Sequence, residues 1–208
     1  LSRSLAKTTK NLMLEEPFYG LFLVGLNKQW NKGIPTAGVA KQNINAKLVI
    51  NPDFWTDLSE DHRWGLIKHE LLHIAFNHIT TRENYANHKL FNIAADLEIN
   101  QYIASHRLPE GGITRDSFPD MTLPVRAGTD TYYKLLHDKN EEDTPEDQPN
   151  SVQQMMQGMG DEDIHGTWKE FDSLSEAEKK LVVKQIEHQL RETAQAVSSK
   201  QAGHIPGE

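Results

Sequence analysis

His69-Glu70-Leu71-Leu72-His73 is an HExxH pattern, and it lies in a segment with the signals of a long helix. Ser59 can cap that helix, which we predict to run from about Glu60 to Ile79. Side chains four positions apart lie on one face of a helix, so the two imidazoles of the pattern can reach one ion. Glu70 stands roughly 100° round the helix, which places its carboxylate beside that ion. The spacing therefore predicts a metal site with an adjacent acid.

The residue types of this pattern suit a catalytic zinc ion. Zinc is a Lewis acid that lowers the pKa of a bound water toward about 7, and a neighbouring carboxylate can pass the released proton to a leaving amine. We therefore predict Zn²⁺ as the cofactor, with His69 and His73 as ligands and Glu70 as the catalytic base. A catalytic zinc takes a third protein ligand and keeps a fourth position open for water. Because the chain contains no cysteine, the third ligand must be a histidine or a carboxylate.

Two positions close to the motif are excluded as the third ligand. The metzincin pattern places a third histidine ten residues after the first, and that position is Ile79 here. His78 lies about 180° from His69 on an ideal helix, so we expect it not to share the ion. The third ligand is therefore expected from the next helix, predicted from about Asn87 to Ser105.

Two carboxylates on that next helix compete for the role. Asp96 lies in a polar stripe with Asn92 and Asn100, four residues to either side, among apolar neighbours. Such a stripe indicates a buried polar site. Glu98 points about 160° away from Asp96, and we interpret it as a surface or salt-bridge residue. Asp96 is the favoured metal ligand, with Glu98 left open, and Asn100 is expected behind the ligands or facing the substrate.

The charge of the chain is concentrated in one segment. Residues 138–163 hold nine acidic residues and one basic residue. Their local charge of −8 equals the formal net charge of the whole chain. The rest shows no basic face that could neutralise phosphates, so we expect no nucleic-acid partner. No apolar run approaches the roughly 20 residues that cross a bilayer, and the start lacks the apolar stretch of a signal peptide. We therefore expect a cytoplasmic protein that does not enter a membrane.

The remaining patterns predict an α+β fold that is mostly helical, with a small β-sheet beside the HExxH helix. The acidic segment is expected to be disordered or a loose loop. The strand at 47–50 is expected to be an edge strand that could align an extended peptide. The other predicted elements are helices near 5–15, 18–30, 129–136 and 175–199 and a strand at 36–39.

Six motifs follow one another along the chain: Glu16-Pro17-Phe18-Tyr19-Gly20, Asn51-Pro52, His69 to Ile74, Asn92 to Asn100, Asp163 to Trp168 and Gly203 to Gly207. Taken in this order, they resemble a family of metallopeptidase domains of bacteria and phages. The resemblance implies a zincin-like fold, a zinc ion on His69, His73 and Asp96, and a von Willebrand factor A-like domain that usually follows. His165 and Trp168 match the family's last His and Trp, and we place His165 behind the ligands or facing the substrate.

These observations predict a zinc-dependent metallopeptidase that hydrolyses peptide bonds of a peptide or protein through an activated water. We divide the chain into a metal-binding core at 1–137, an acidic flexible loop at 138–163 and a C-terminal helical part at 164–208. That last part is expected to pack on the core and to lead to a further domain. One alternative is a non-catalytic zinc-binding adaptor or regulatory module that works with a von Willebrand factor A-like partner. Another is an assembly or regulatory protein whose site holds no metal.

Overall fold

The computed structural model describes residues 1–145, 148–159 and 165–202. The described part contains ten α-helices and one sheet of three strands, with short 3₁₀ turns between them. Parts of the acidic loop (146–147 and 160–163), Ile164 and the motif from Gly203 to Gly207 lie outside it. The elements are α1 (Ser2–Glu15), α2 (Pro17–Gly25), β1 (Asn27–Trp30), β2 (Ala37–Gln42), β3 (Asn45–Ile50), α3 (Pro52–Asp57), α4 (Glu60–Ala75), α5 (His78–Thr81), α6 (His88–Ile99), α7 (Thr129–Asn140), α8 (Ser151–Gly158), α9 (Lys169–Asp172) and α10 (Glu176–Ala202).

The prediction of a mostly helical α+β fold with a small sheet beside the HExxH helix is confirmed. The sheet has the order β1-β3-β2, with β1 parallel to β3 and β2 antiparallel to it. Strand β2 packs against α4, the helix that carries the motif. The largest apolar core joins the sheet to the buried face of α4 and to α10. The motif helix is thereby held between the sheet and the rest of the helical layer.

Two predictions about the sheet are wrong. The helix predicted to reach Trp30 ends at Gly25, and Asn27–Trp30 forms β1 instead. Asn27 pairs with Lys47 across a parallel ladder, so the strand predicted to be an edge strand is the central one. The pairing joins segments about twenty residues apart, and local periodicity carries no information about it. Strand β2 is the edge strand next to the motif helix.

The motif helix ends earlier than predicted. Ser59 caps it as expected, because its hydroxyl accepts a hydrogen bond from the His62 amide at 3.1 Å. The helix stops at Ala75, and Asn77 has a left-handed backbone with φ of 59°. A new short helix, α5, begins at His78. The break changes the direction of His78 relative to the motif, which the assumption of one continuous helix could not show.

Three other boundaries also differ from the predictions. Helix α6 ends at Ile99 and continues as 3₁₀ turns, and α7 extends to Asn140 rather than 136. Part of the segment predicted to be disordered is the helix α8. The Asn150 side chain accepts from the Gln153 amide at 3.0 Å, and Gln153 bonds back to the Asn150 amide. This reciprocal cap and the buried Val152 give the segment local order despite its charge.

Helix α6 lies between two apolar clusters. One of its sides joins the large core, and another packs with α7 and α8 around Tyr132 and Leu136. Every residue from Leu90 to Ile99 is buried, including Asp96. A helix buried all round must place its polar side chains against protein partners. Within the described residues, no helix is long and apolar enough to cross a membrane.

Gly65 allows the closest approach of another segment to the motif helix. A Cβ atom at this position would overlap the carbonyl oxygen of Arg107, in the 3₁₀ turn that packs on α4. We expect Gly65→Ala to lower the free energy of unfolding by about 1–3 kcal/mol, because that backbone must move away. Denaturant unfolding of both proteins measures the difference.

Gly25→Ala is the matched control, since nothing lies within 4 Å of the added Cβ atom at the end of α2. That substitution is expected to be neutral or to stabilise by up to about 1 kcal/mol through helix propensity. Equal stability of the Gly65→Ala variant and the parent protein would show that α4 and the turn are not in close contact.

Candidate metal centre

Four side chains from three parts of the chain meet at one point. Helix α4 contributes His69 and His73, α6 contributes Asp96, and the segment after the acidic loop contributes His165. One ligand atom from each residue lies within 4.8 Å of the other three. All four residues are buried or nearly so. The structure therefore brings together the three predicted ligands and a fourth group that was not predicted among them.

The spacing of these atoms matches what a small divalent cation needs. Nε2 of His73 lies 3.0 Å from Nε2 of His69 and 3.2 Å from Oδ1 of Asp96. The Asp96 oxygen lies 3.6 Å from Nε2 of His69 and 3.1 Å from Nε2 of His165. Ligands of tetrahedral zinc, with bonds of about 2.0–2.1 Å, stand about 3.3–3.4 Å apart. The donor set of imidazole nitrogens and a carboxylate oxygen is also one that zinc prefers.

Asn100 orients His69. Its Oδ1 lies 2.8 Å from Nδ1 of His69, and its amide nitrogen donates to the carbonyl oxygen of Ile113 at 2.8 Å. The Ile113 carbonyl can only accept, which fixes the amide so that Oδ1 faces the imidazole. His69 must then carry its proton on Nδ1 and present the lone pair of Nε2 to the site. Asn100 lies behind a ligand, one of the two positions that the sequence analysis allows for it.

His78 orients His73, a role that the sequence analysis missed. The Nδ1 atoms of the two rings lie 3.0 Å apart, and Nε2 of His78 lies 2.9 Å from the Thr129 hydroxyl. A metal on Nε2 of His73 requires the proton on Nδ1, so His73 donates to His78 and His78 donates to Thr129. Burial lowers the pKa of His78 to about 3, which keeps this ring neutral and able to accept. The helix break at Asn77 is what turns His78 toward His73.

Asp96 is the one anion of the cluster. Burial opposes its ionisation, but the imidazoles of His69 and His165 outweigh that effect and hold the pKa of Asp96 well below its usual range. Burial also holds the pKa of His73 well below its ordinary value, so this ring stays neutral. Metal binding requires neutral imidazoles and an ionised carboxylate, so a bound cation would replace the imidazole protons as the positive charge that favours the Asp96 anion.

The prediction that Glu98 lies at the surface is wrong. Its side chain is buried, and it accepts hydrogen bonds from the Gly128 amide at 3.0 Å and the Tyr102 hydroxyl at 3.2 Å. Gly128 has a φ of 89°, a conformation that favours glycine, and it directly precedes α7. Glu98 therefore fastens the start of α7 to α6. Among the described residues, the cluster that could hold a metal contains Asp96 and not Glu98.

Glu70 lies beside the cluster with an unsatisfied carboxylate oxygen. The side chain is only 3% exposed, and Oε2 has no hydrogen-bond partner among the described residues. Burial raises the pKa of Glu70 to about 7, with a smaller contribution from the charge of Asp96. A buried unpaired carboxyl group costs stability and needs a reason such as catalysis or a bound ion.

A cavity of about 220 Å³ joins Glu70 to the metal cluster. Its wall includes His69, Asp96 and His165, and the strand β2 contributes Ala37. The exposed residues 110–112 form its outer end, so the cavity opens at the protein surface. A small polar group that enters here would reach the metal cluster and Glu70 together.

Fold and site together define an α+β protein in which an HExxH helix contributes two residues to a buried cluster of three histidines and one aspartate. The family model described as "Putative metallopeptidase domain" matches residues 1–208, and the chain belongs to that family. This match confirms the resemblance drawn from the order of the motifs. No curated protein and no solved structure matches the chain.

Loss of the His78 ring is expected to weaken metal binding. His78→Ala should raise the dissociation constant for zinc by about 10–100-fold, the usual effect of losing the partner that orients a histidine ligand. His188→Ala is the matched control, because His188 is exposed on α10 and should leave binding unchanged. Competition with a chromophoric chelator measures both constants. An unchanged constant for His78→Ala would contradict the orienting role.

The buried Glu70 should make the metal-free protein less stable at high pH. Its pKa of about 7 in the folded protein lies above the ordinary value of 4.5, so between these pH values the folded state holds a proton that the unfolded state has released. Stability from this group is present below about pH 4.5 and is lost as pH rises through about 7. The free energy of unfolding of Glu70→Gln should therefore exceed that of the parent by a margin that grows with rising pH across this window, to about 3 kcal/mol. Urea unfolding in chelator at several pH values tests it, and a difference independent of pH would contradict it.

Proposed function

We propose that the protein is a zinc-dependent peptidase, with zinc on His69, His73 and Asp96 and with Glu70 as the catalytic base. The observation that carries this proposal is the buried Glu70 carboxylate, whose Oε2 has no hydrogen-bond partner among the described residues and which lines the same open cavity as the metal cluster. A metal that only stabilised the fold would need neither this acid nor access from solvent. Membership of the metallopeptidase family supports the same conclusion.

The chain's own residues divide the chemistry between them. Bound zinc supplies Lewis acidity toward water and toward the carbonyl group of the scissile bond. Oε2 of Glu70 is free to take a proton from water in the cavity and to deliver it to the amine that leaves. Burial raises the pKa of Glu70, and a bound zinc ion would lower it again, so the carboxylate would be ionised and able to accept the proton near neutral pH. Asn100 and His78 hold the two motif imidazoles in the tautomer that this chemistry requires.

The outer edge of β2, which pairs with no further strand in the described sheet, supports an extended peptide as the substrate. The Asn51 amide donates to the Thr36 carbonyl at 2.7 Å, so Thr36 points its polar groups toward β3. In an antiparallel ladder the next residue, Ala37, points its amide and carbonyl away from that partner. Ala37 lines the cavity. A peptide that pairs with this edge by main-chain hydrogen bonds would pass in front of Glu70 and the metal cluster.

The finer features of the prediction belong to the same proposal. They are a cytoplasmic location, a division of the chain at 137 and 163, and a von Willebrand factor A-like partner domain. The near-neutral charge outside the acidic segment supports a peptide or protein rather than a nucleic acid as the partner.

Two substitutions separate base chemistry from metal binding. Glu70→Gln should keep about one equivalent of zinc and lower the rate of hydrolysis of a denatured, fluorescently labelled protein by about 10²–10⁴-fold. His73→Ala should lose the zinc itself, because the ring is a buried ligand. Elemental analysis and the hydrolysis assay, with and without chelator, give the two readouts.

His188→Ala is again the control, and it should retain both zinc and activity. Hydrolysis that persists at the parent rate in Glu70→Gln would exclude Glu70 as the base. A purified protein with less than about a tenth of an equivalent of zinc would favour the metal-free alternative instead.

A second candidate function is favoured by the fourth side chain in the cluster. Zinc sites with four protein ligands are commonly structural. His165 lies as close to Asp96 as the motif histidines do. In that case the chain is a zinc-stabilised adaptor or regulatory module. Full zinc occupancy together with no chelator-sensitive hydrolysis of denatured proteins would support this function over the peptidase.

A further inference from the structure

We propose that His165 is a metal ligand, so that three histidines and Asp96 bind the ion and the metal fastens the C-terminal segment to the motif helix. The inference rests on the metal site proposed above. It adds a ligand that lies on neither α4 nor α6, the two helices that carry the other three ligands. The sequence analysis placed His165 behind the ligands or facing the substrate. Its Nε2 lies 3.1 Å from Oδ1 of Asp96, within the cluster itself.

The ring nitrogens of the motif converge on one point together with Asp96. Nε2 of His69 carries a lone pair, because its Nδ1 proton is donated to Asn100. In the tautomer that a metal requires, the Nδ1 proton of His73 is donated to His78, and Nε2 of His73 also presents a lone pair. The two Nε2 atoms stand only 3.0 Å apart and face the same carboxylate oxygen. In that tautomer the converging electron pairs repel one another unless a cation lies between them.

His165 stands as close to Asp96 as His73 does. Its distance to Asp96 is 3.1 Å, and the corresponding distance from His73 is 3.2 Å. Both are close to the edge of about 3.3–3.4 Å in a tetrahedron of zinc ligands. A histidine whose role is to pack on an aromatic ring would not need a nitrogen at this point. The geometry thus favours a ligand over a packing residue.

The chain around His165 holds the ring in place without the metal. Trp168 stacks on the imidazole with ring centroids 4.1 Å apart and planes within 8° of parallel. The guanidinium of Arg82 donates to the His165 carbonyl at 3.3 Å and pairs with Asp172. Arg82 is itself buried. A ligand that is positioned in advance loses little conformational entropy when it binds an ion.

The segment that carries His165 is a structural part of the core. Thr167 lies against Gly38 of β2. A Cβ atom added at Gly38 would come within 2.8 Å of the Thr167 hydroxyl. Trp168 and Phe171 are fully buried in the main cluster, and α10 packs on α2 and β3. A metal on His165 therefore links this C-terminal part to α4 and α6. Four protein ligands would fill the positions of a tetrahedral zinc site, so the ligand assignment and the peptidase proposal are tested separately.

Cadmium NMR counts the histidine ligands directly. Protein labelled with ¹⁵N-histidine and bound to ¹¹³Cd²⁺ should show cadmium–nitrogen coupling on three imidazoles, because scalar coupling passes only through a metal–ligand bond. In His165→Phe, which keeps a flat ring for Trp168 to stack on, only two should be coupled. Coupling on two imidazoles in the parent protein would overturn the proposal without reliance on any variant.

Zinc affinity separates a ligand from an orienting or packing residue. His165→Phe should bind zinc more than about 100-fold less tightly than the parent, beyond the 10–100-fold effect of losing an orienting partner. The metal-free melting temperature is the fold control, and it should change little because stacking is retained. A loss of affinity below about 100-fold would show that the ring acts by packing or by hydrogen bonding to Asp96.

This test and the peptidase test fail separately. Three coupled histidines without hydrolysis would leave the ligand assignment intact and exclude the enzyme. Chelator-sensitive hydrolysis with only two coupled histidines would support the peptidase and exclude His165 as a ligand. Failure of the parent protein to bind either ion would overturn both.

Discussion

The structure depends on one electrostatic constraint, which is the convergence of three imidazole nitrogens and a carboxylate oxygen inside the protein. Burial of such groups is unfavourable unless each has a partner, and a divalent cation at their centre provides one for all four. The groups behind them follow the same rule. Asn100 and His78 take the second nitrogens of the motif imidazoles, and Trp168 covers the face of the fourth residue's ring.

The surrounding fold explains how these groups come to one point. Helix α6 is buried on every side, so Asp96 must face protein rather than water. Helix α4 ends at a left-handed Asn77, and that turn brings His78 under the motif. Strand β2 holds the turn around Thr167 against the other side of the site. The site is therefore formed by contacts between elements that are far apart in the sequence.

Two features of the site favour different uses of a metal. The buried Glu70, whose Oε2 has no partner among the described residues, and the open cavity are typical of a centre where water reacts. A fourth protein group at ligand distance from Asp96 is typical of a centre that stabilises a fold. Three protein ligands would leave a position for water, whereas four would fill a tetrahedral site. Family membership gives the catalytic use its additional support.

The sequence by itself determined the spacing of the motif histidines, the place of Glu70 beside them and the polar stripe that contains Asp96. All of these follow from the period of a helix, which is a local property. Only the tertiary structure decided that β3 is central, that Glu98 is buried, that His78 joins the site, and that His165 lies within reach of Asp96. Each of these depends on a chain reversal, a helix break or a pairing between distant segments. Such contacts are set by packing and hydrogen bonding across the fold, and residue periodicity does not encode them.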